Sequence, residues 1–153
     1  MKKALMLTVL MIATAFGATA QSNVSSIRTT RSAVEAERKA LIATNLGLSA
    51  EHTDVFWPLY MEYRAAVDAI GDDKVDFYER FFSSYETLTD SEALALLDEH
   101  FEFKQRYLDV QKTHAEIMRK ALPGKVVTRF FQIENKMDIM VDSQLTGEFP
   151  LIK

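Results

Sequence analysis

Residues 50–85 read AEHTDVFWPLYMEYRAAVDAIGDDKVDFYERFFSSY, and their spacing decides the fold. Phe56, Tyr60, Tyr63, Val67, Ile70, Phe77, Phe81 and Leu88 recur at alternating steps of four and three, with Lys74 and Ser84 filling the two gaps. Such a step is the period of one face of a helix. The register runs unbroken through Gly71, Asp72 and Asp73, and predicts one helix from about Ala50 to Tyr85, roughly 54 Å long at 1.5 Å per residue. Pro58 falls within the first turns of that helix, and Gly71 is the weak point at which it could instead divide.

The flanking segments repeat the pattern. Downstream, Asp90 to about Leu122 carries two adjacent apolar stripes. One holds Leu94, Leu97, Phe101, Leu108, Ala115, Met118 and Leu122; the other holds Phe103, Tyr107, Val110, His114, Ile117 and Ala121. Two neighbouring stripes give the broad face that a helix in a bundle requires. Pro123 and Gly124 interrupt the chain, and a last helix carries Val126, Phe130, Ile133, Met137, Val141 and Leu145. Upstream, Ser32 with Glu35 has capping-box spacing and opens a short helix through Val34, Leu41 and Ile42 to Leu46, where Gly47 is a natural stop. The expected fold is all-α: about four helices, the long ones antiparallel, forming a helical hairpin or bundle over residues 31–146. Residues 21–30 are polar and read as a flexible leader. The tail 147–153 is expected to be extended, with Leu151 and Ile152 packing back onto the bundle.

The first 20 residues have a different logic. Lys2 and Lys3 precede an apolar run of 13 residues from Ala4 to Phe16, and Ala18, Thr19 and Ala20 then offer a cleavage site. This is the plan of a secretory signal peptide, with cleavage expected after Ala20. The run is short of the roughly 20 residues that span a bilayer, so no stable membrane insertion is expected after cleavage. The chain has no cysteine, which excludes disulfides and lipid attachment at a cysteine. Without residues 1–20, 16 basic residues face 22 acidic ones, for a net charge of −6 that argues against nucleic-acid binding.

Two helix starts share a local design. Leu48, Ser49 and His52 open one long helix, and Leu88, Thr89 and Glu92 open the next. In each, the hydroxyl caps the helix, the residue three later can reach back, and the leucine can staple onto the first turns. The pair resembles the leucine-threonine-x-x-glutamine signature of the Spy/CpxP-like periplasmic proteins. His52 and Glu92 stand in place of the glutamine, and Ser49 in place of the first threonine. The runs Phe56-Trp57-Pro58-Leu59-Tyr60 and Arg129-Phe130-Phe131-Gln132-Ile133-Glu134-Asn135-Lys136 look like a Spy-like branch of exported proteins, and the similarity covers roughly residues 45–140. The resemblance implies a helical hairpin in the periplasm, often a cradle-shaped antiparallel homodimer. It further implies an ATP-independent chaperone for unfolded or stress-related proteins, or an envelope-stress or metal-responsive regulator docking on a periplasmic sensor domain.

Candidate site residues follow from two features. Nine of the 16 aromatic residues lie between Phe56 and Tyr85, and Tyr78, Phe82 and Tyr85 add a second edge beside Phe77 and Phe81. This band is either core or an exposed dimer seam or client surface. Charge is also sorted. Glu86 to Glu102 holds six acidic residues and no Lys or Arg, whereas Lys104 to Arg129 holds seven basic residues against Asp109 and Glu116. Complementation of the helix dipole accounts for this, as does an antiparallel or acidic partner. Phe77, Phe81, Phe82 and Tyr85 are the expected apolar contacts, with Lys104, Arg106, Lys112 and Arg119 as electrostatic partners of a client or a second copy. No metal or cofactor is expected: His100 and His114 sit about 21 Å apart along one helix, and His114 reads as a core or seam histidine. No nucleophile elbow or phosphate loop is present, so no enzyme is expected.

Overall fold

The structure, a computed structural model, describes residues 25, 29, 33, 35, 37–146 and 149–152. The expected signal peptide and the expected helix start at Ser32 lie outside the described residues. Ser25 and Thr29 are helical, the Thr29 hydroxyl donating to the Ser25 carbonyl at 2.9 Å, so helix reaches into the stretch that composition reads as a leader. Among the described residues the fold is all-α, with no strand. Residues 33, 35 and 37–46 form α1, followed by α2 (Ala50–Ser84), α3 (Asp90–Ala121) and α4 (Gly124–Thr146).

The boundaries follow from local chemistry. Gly47 takes φ 65°, the left-handed conformation that ends α1 and that a side chain rarely adopts. Ser49 caps α2 by accepting from the His52 amide at 3.3 Å, and its hydroxyl also meets His52 Nδ1 at 2.9 Å. Thr89 and Glu92 complete a full capping box on α3, whose hydrogen bonds hold the Glu92 carboxyl below its ordinary range. Between these caps α2 runs for 35 residues without a break at Gly71. Leu48 packs on the core, and Leu88 is half-buried.

α2 and α3 form an antiparallel hairpin, and α3 turns through Pro123 into α4. α4 runs alongside α2 in the same direction, as successive contacts show: Phe130 meets Phe56, Glu134 meets Arg64, and Phe149 beyond α4 meets Phe81. The core divides along this length. At the base, all four helices contribute to one cluster that includes Ile42, Leu46, Phe56, Tyr63, Met118 and Phe130. Phe130 is fully buried at its centre, with rings 5.3 Å from Phe56, 5.5 Å from Tyr63 and 4.9 Å from Phe131, all edge-on. Further out α4 and then the tail accompany the hairpin, and the core shrinks to two small clusters: Ile70, Phe77 and Phe103, and Val75, Phe81 and Phe82.

Several expectations change. The second stripe of α3 faces inward at Phe103, Tyr107, Val110 and His114, but the first is buried only at Met118 and Leu122. Its outer half stays uncovered, because α2 and α4 both lie on one side of α3. Leu41 is also on the surface, and Ile42 and Leu46 carry the packing of α1. In the tail, Leu151 is 88% exposed, and Phe149 is the residue that anchors it.

Phe130→Ala should cost about 3–5 kcal/mol, the usual effect of emptying a buried aromatic site. Urea unfolding followed by circular dichroism measures this, and a loss under 1 kcal/mol would show that the basal cluster does not hold the helices together.

Candidate binding groove

Three charged side chains sit inside the base of the bundle. Arg38 of α1 is 3% exposed, Arg64 of α2 is 7% exposed and Glu134 of α4 is fully buried. Arg38 Nη1 donates to Glu134 Oε2 at 2.7 Å, and Arg64 Nη1 lies 3.5 Å from the same oxygen. Each guanidinium has further carboxylates. Arg38 reaches Glu35 and Asp138, both at 3.3 Å; Arg64 donates to Glu35, and to Asp68 at 2.9 Å. The Tyr107 hydroxyl donates to Asp138 and lies 3.4 Å from the Tyr63 hydroxyl, so α3 joins the network too.

Four carboxylates thus share two guanidiniums. Burial pushes the Glu134 carboxyl up to about 7, and Arg38 and Arg64 only partly offset this because Asp138 and Glu35 act in the other direction. Burial opposes the charge of Arg38, but Glu134, Glu35 and Asp138 together raise its pKa. Burial also lifts the hydroxyls of Tyr60, to about 12, and of Tyr63 and Tyr107. Arg64 Nε and Glu134 Oε1 are buried without a hydrogen-bond partner. An unmatched buried group of this kind is costly and makes the network sensitive to any change.

This network closes one end of a groove of about 650 Å³ between α2, α3 and α4. Lys74, His100 and Lys104 line its middle opposite Asp142, and burial followed by Lys104 and Lys74 lowers the His100 pKa. Beyond them the walls are apolar: Phe77, Phe81, Leu96, Leu97 and the tail residues Phe149 and Ile152. Phe149 closes that end, its ring 4.6 Å from Tyr78 and 5.1 Å from Phe82.

The expected contact residues are therefore divided. Phe77 is buried against Phe103 at 5.6 Å; Phe81 and Phe82 are buried beneath Phe149; Tyr85 is half-buried and stacks on Phe81 at 5.8 Å. The aromatic band is core in this chain rather than an open surface, because the tail covers it. Of the four expected cations only Lys104 lines the groove. Arg106 pairs with Asp73 at 2.7 Å across the hairpin, Arg119 pairs with Glu116 at 3.0 Å, and Lys112 is exposed. His114 Nδ1 donates to the Val110 carbonyl at 2.9 Å, and its ring meets Tyr63 at 5.5 Å. Among the described residues no group of three or more His, Asp or Glu is arranged to hold a metal ion, and no helix is long and apolar enough to cross a membrane.

The network escaped the sequence reading, although a signal was present. Arg38 stands four residues before Ile42, Arg64 four after Tyr60, and Glu134 four after Phe130 and three before Met137. Each charge sits on a core register, and the signs are complementary. No family model, curated protein or solved structure matches this chain.

Two outcomes follow from the network. Arg38→Met should destabilise the fold by about 3–5 kcal/mol, since it strands carboxylates in the interior. Glu134 faces Glu35 and Arg38 of α1, Tyr60, Tyr63 and Arg64 of α2 and Asp138 of its own helix, with Tyr107 of α3 reaching it only through Asp138. Its folded pKa, about 7, exceeds the ordinary 4.5, so the folded state holds a proton that the unfolded state releases. Its contribution is therefore fully present below pH 4.5 and falls as pH rises to 7, by up to about 3 kcal/mol. Glu134→Gln removes that slope: it should match the wild type near pH 5 and be the more stable protein at pH 8. Denaturation midpoints across this range would show the reverse order if Glu134 stays ionised throughout.

Proposed function

We propose that this chain is an exported helical binding protein that holds unfolded or stress-related client proteins without ATP, as its Spy/CpxP-like resemblance implies. The observation that carries the reading is the uncovered stripe of α3. Leu94, Leu97, Phe101 and Leu108 are 62%, 46%, 57% and 41% exposed, and they follow one face at steps of three, four and seven. Isolated apolar residues on a surface mean little, but a row of them along three turns and more is a surface for another chain. The stripe also continues inward, since Leu97 lines the groove. A client-holding surface thus lies on the outside of α3, not on the aromatic band of α2.

Charge supports the same use. The stripe crosses the boundary between the acidic and basic halves of α3, so an extended client meets apolar contacts with both signs at hand. A second copy packed antiparallel along this stripe would set each acidic half against a basic half, and we read the working form as a homodimer in the periplasm.

Light scattering from a chemically unfolded model client should fall at near-equal stoichiometry when the protein is added without ATP. The triple variant Leu94→Ser/Phe101→Ser/Leu108→Ser should lose most of that suppression, at least fivefold in the concentration required, while keeping its helical circular dichroism. A folded wild-type protein that suppresses nothing would sink the reading, and crosslinking to a single sensor protein would then decide for a docking regulator.

A further inference from the structure

The groove has three zones along its length, and their order selects a ligand. At the base, Glu35, Asp68, Glu134 and Asp138 outnumber Arg38 and Arg64, leaving an excess of negative charge. In the middle, Lys74 from α2 and Lys104 from α3 line the groove together with His100 and one carboxylate, Asp142 of α4, and all three charges act on the His100 ring. Beyond Lys74 on α2, and before His100 on α3, no charged residue among the described ones lines the walls: Val75, Phe77, Phe81, Leu96, Leu97 and Phe149 form them.

We infer that the groove is a binding site for a single-chain anionic amphiphile, a fatty-acid carboxylate, whose head lies between Lys74 and Lys104 and whose chain runs toward Phe81 and Phe149. Two ammonium groups brought into one groove from separate helices repel each other, and one carboxylate, Asp142, lines the groove beside them. A monoanionic head supplies a further counter-charge between the half-buried Lys74 and the exposed Lys104. The surplus of carboxylates at the base repels the same head, so the ligand cannot sit deeper or run the other way. From Lys74 to Phe81 the apolar stretch extends roughly 10 Å at helical rise, which takes the larger part of an extended medium-length acyl chain. The volume, about 650 Å³, falls among those of small-molecule sites, as does the pattern of apolar walls with a few convergent polar groups.

The site does not rest on client holding, because its ligand is a small molecule and its residues line the groove rather than the α3 stripe, Leu97 apart. The test is isothermal titration of the protein, expressed from its full sequence and purified as the cell leaves it, with dodecanoate below its micelle onset. Saturable binding near one per chain is expected, with dodecyltrimethylammonium at least tenfold weaker. Lys74→Glu/Lys104→Glu should weaken dodecanoate at least tenfold with helical content unchanged. Leu97→Glu, at an exposed position where folding is not at risk, should do likewise by placing a charge beside the chain. Absence of saturable dodecanoate binding by the wild type would overturn the assignment. Equal affinity for the two head groups, or a folded charge-reversed variant that binds as the wild type does, would overturn it as well.

Discussion

A fully buried carboxylate between two buried arginines is the constraint around which this bundle is arranged. Arg38, Arg64 and Glu134 come from α1, α2 and α4, and Tyr107 of α3 reaches the same network through Asp138. Apolar packing alone would let four amphipathic helices slide by a turn at small cost, since one ring replaces another. Hydrogen bonds between buried charges do not tolerate such a slide, because a displaced guanidinium would face hydrocarbon. The network thus fixes the register of α1 and α4 against α2. It does so with four carboxylates around two cations, and burial, aided by Asp138 and Glu35, lifts Glu134 toward neutrality.

From that fixed point the molecule thins. The base has four helices and a continuous core; in the outer part α4 and then the tail run beside the α2–α3 hairpin, which is held by small aromatic clusters and by exposed pairs such as Arg80–Glu99 and Arg106–Asp73. Exposed pairs of this sort are worth at most about 1 kcal/mol each. The tail compensates by inserting Phe149 among Tyr78, Phe81 and Phe82. Because α4 ends before the hairpin does and only a short tail continues beyond it, the space between them stays open as the groove. The same geometry leaves half of the apolar surface of α3 without cover. The openings proposed to carry function are thus consequences of how little of the two long helices the other described segments enclose.

Much of this was legible in the order of residues. The four-and-three step through Phe56, Tyr63, Ile70 and Phe77 marked both the length of α2 and its buried face, and Thr89 with Glu92 marked the start of α3 to the residue. The site was far less legible. The aromatic band announced itself by density, yet density does not distinguish a covered ring from an open one, and Phe149 lies more than sixty residues from the rings it covers. Lys104 was singled out with Arg106, although the two are 200° apart around the helix, so only one could face the groove. Lys74 is a gap in an apolar series along the chain, and in the fold that gap places a cation on the groove wall.

The sequence by itself determined the helices, their caps and their inward faces, because these depend on contacts within four residues along the chain. It also placed charges on core registers at Arg38, Arg64 and Glu134. Only the tertiary structure decided which of two α3 stripes is covered, what lies over the aromatic band, and where Lys74, Lys104 and Asp142 converge. Those outcomes depend on the packing of segments far apart in sequence, and a helical period carries the direction of each side chain around its own axis but not the identity of the helix it will meet.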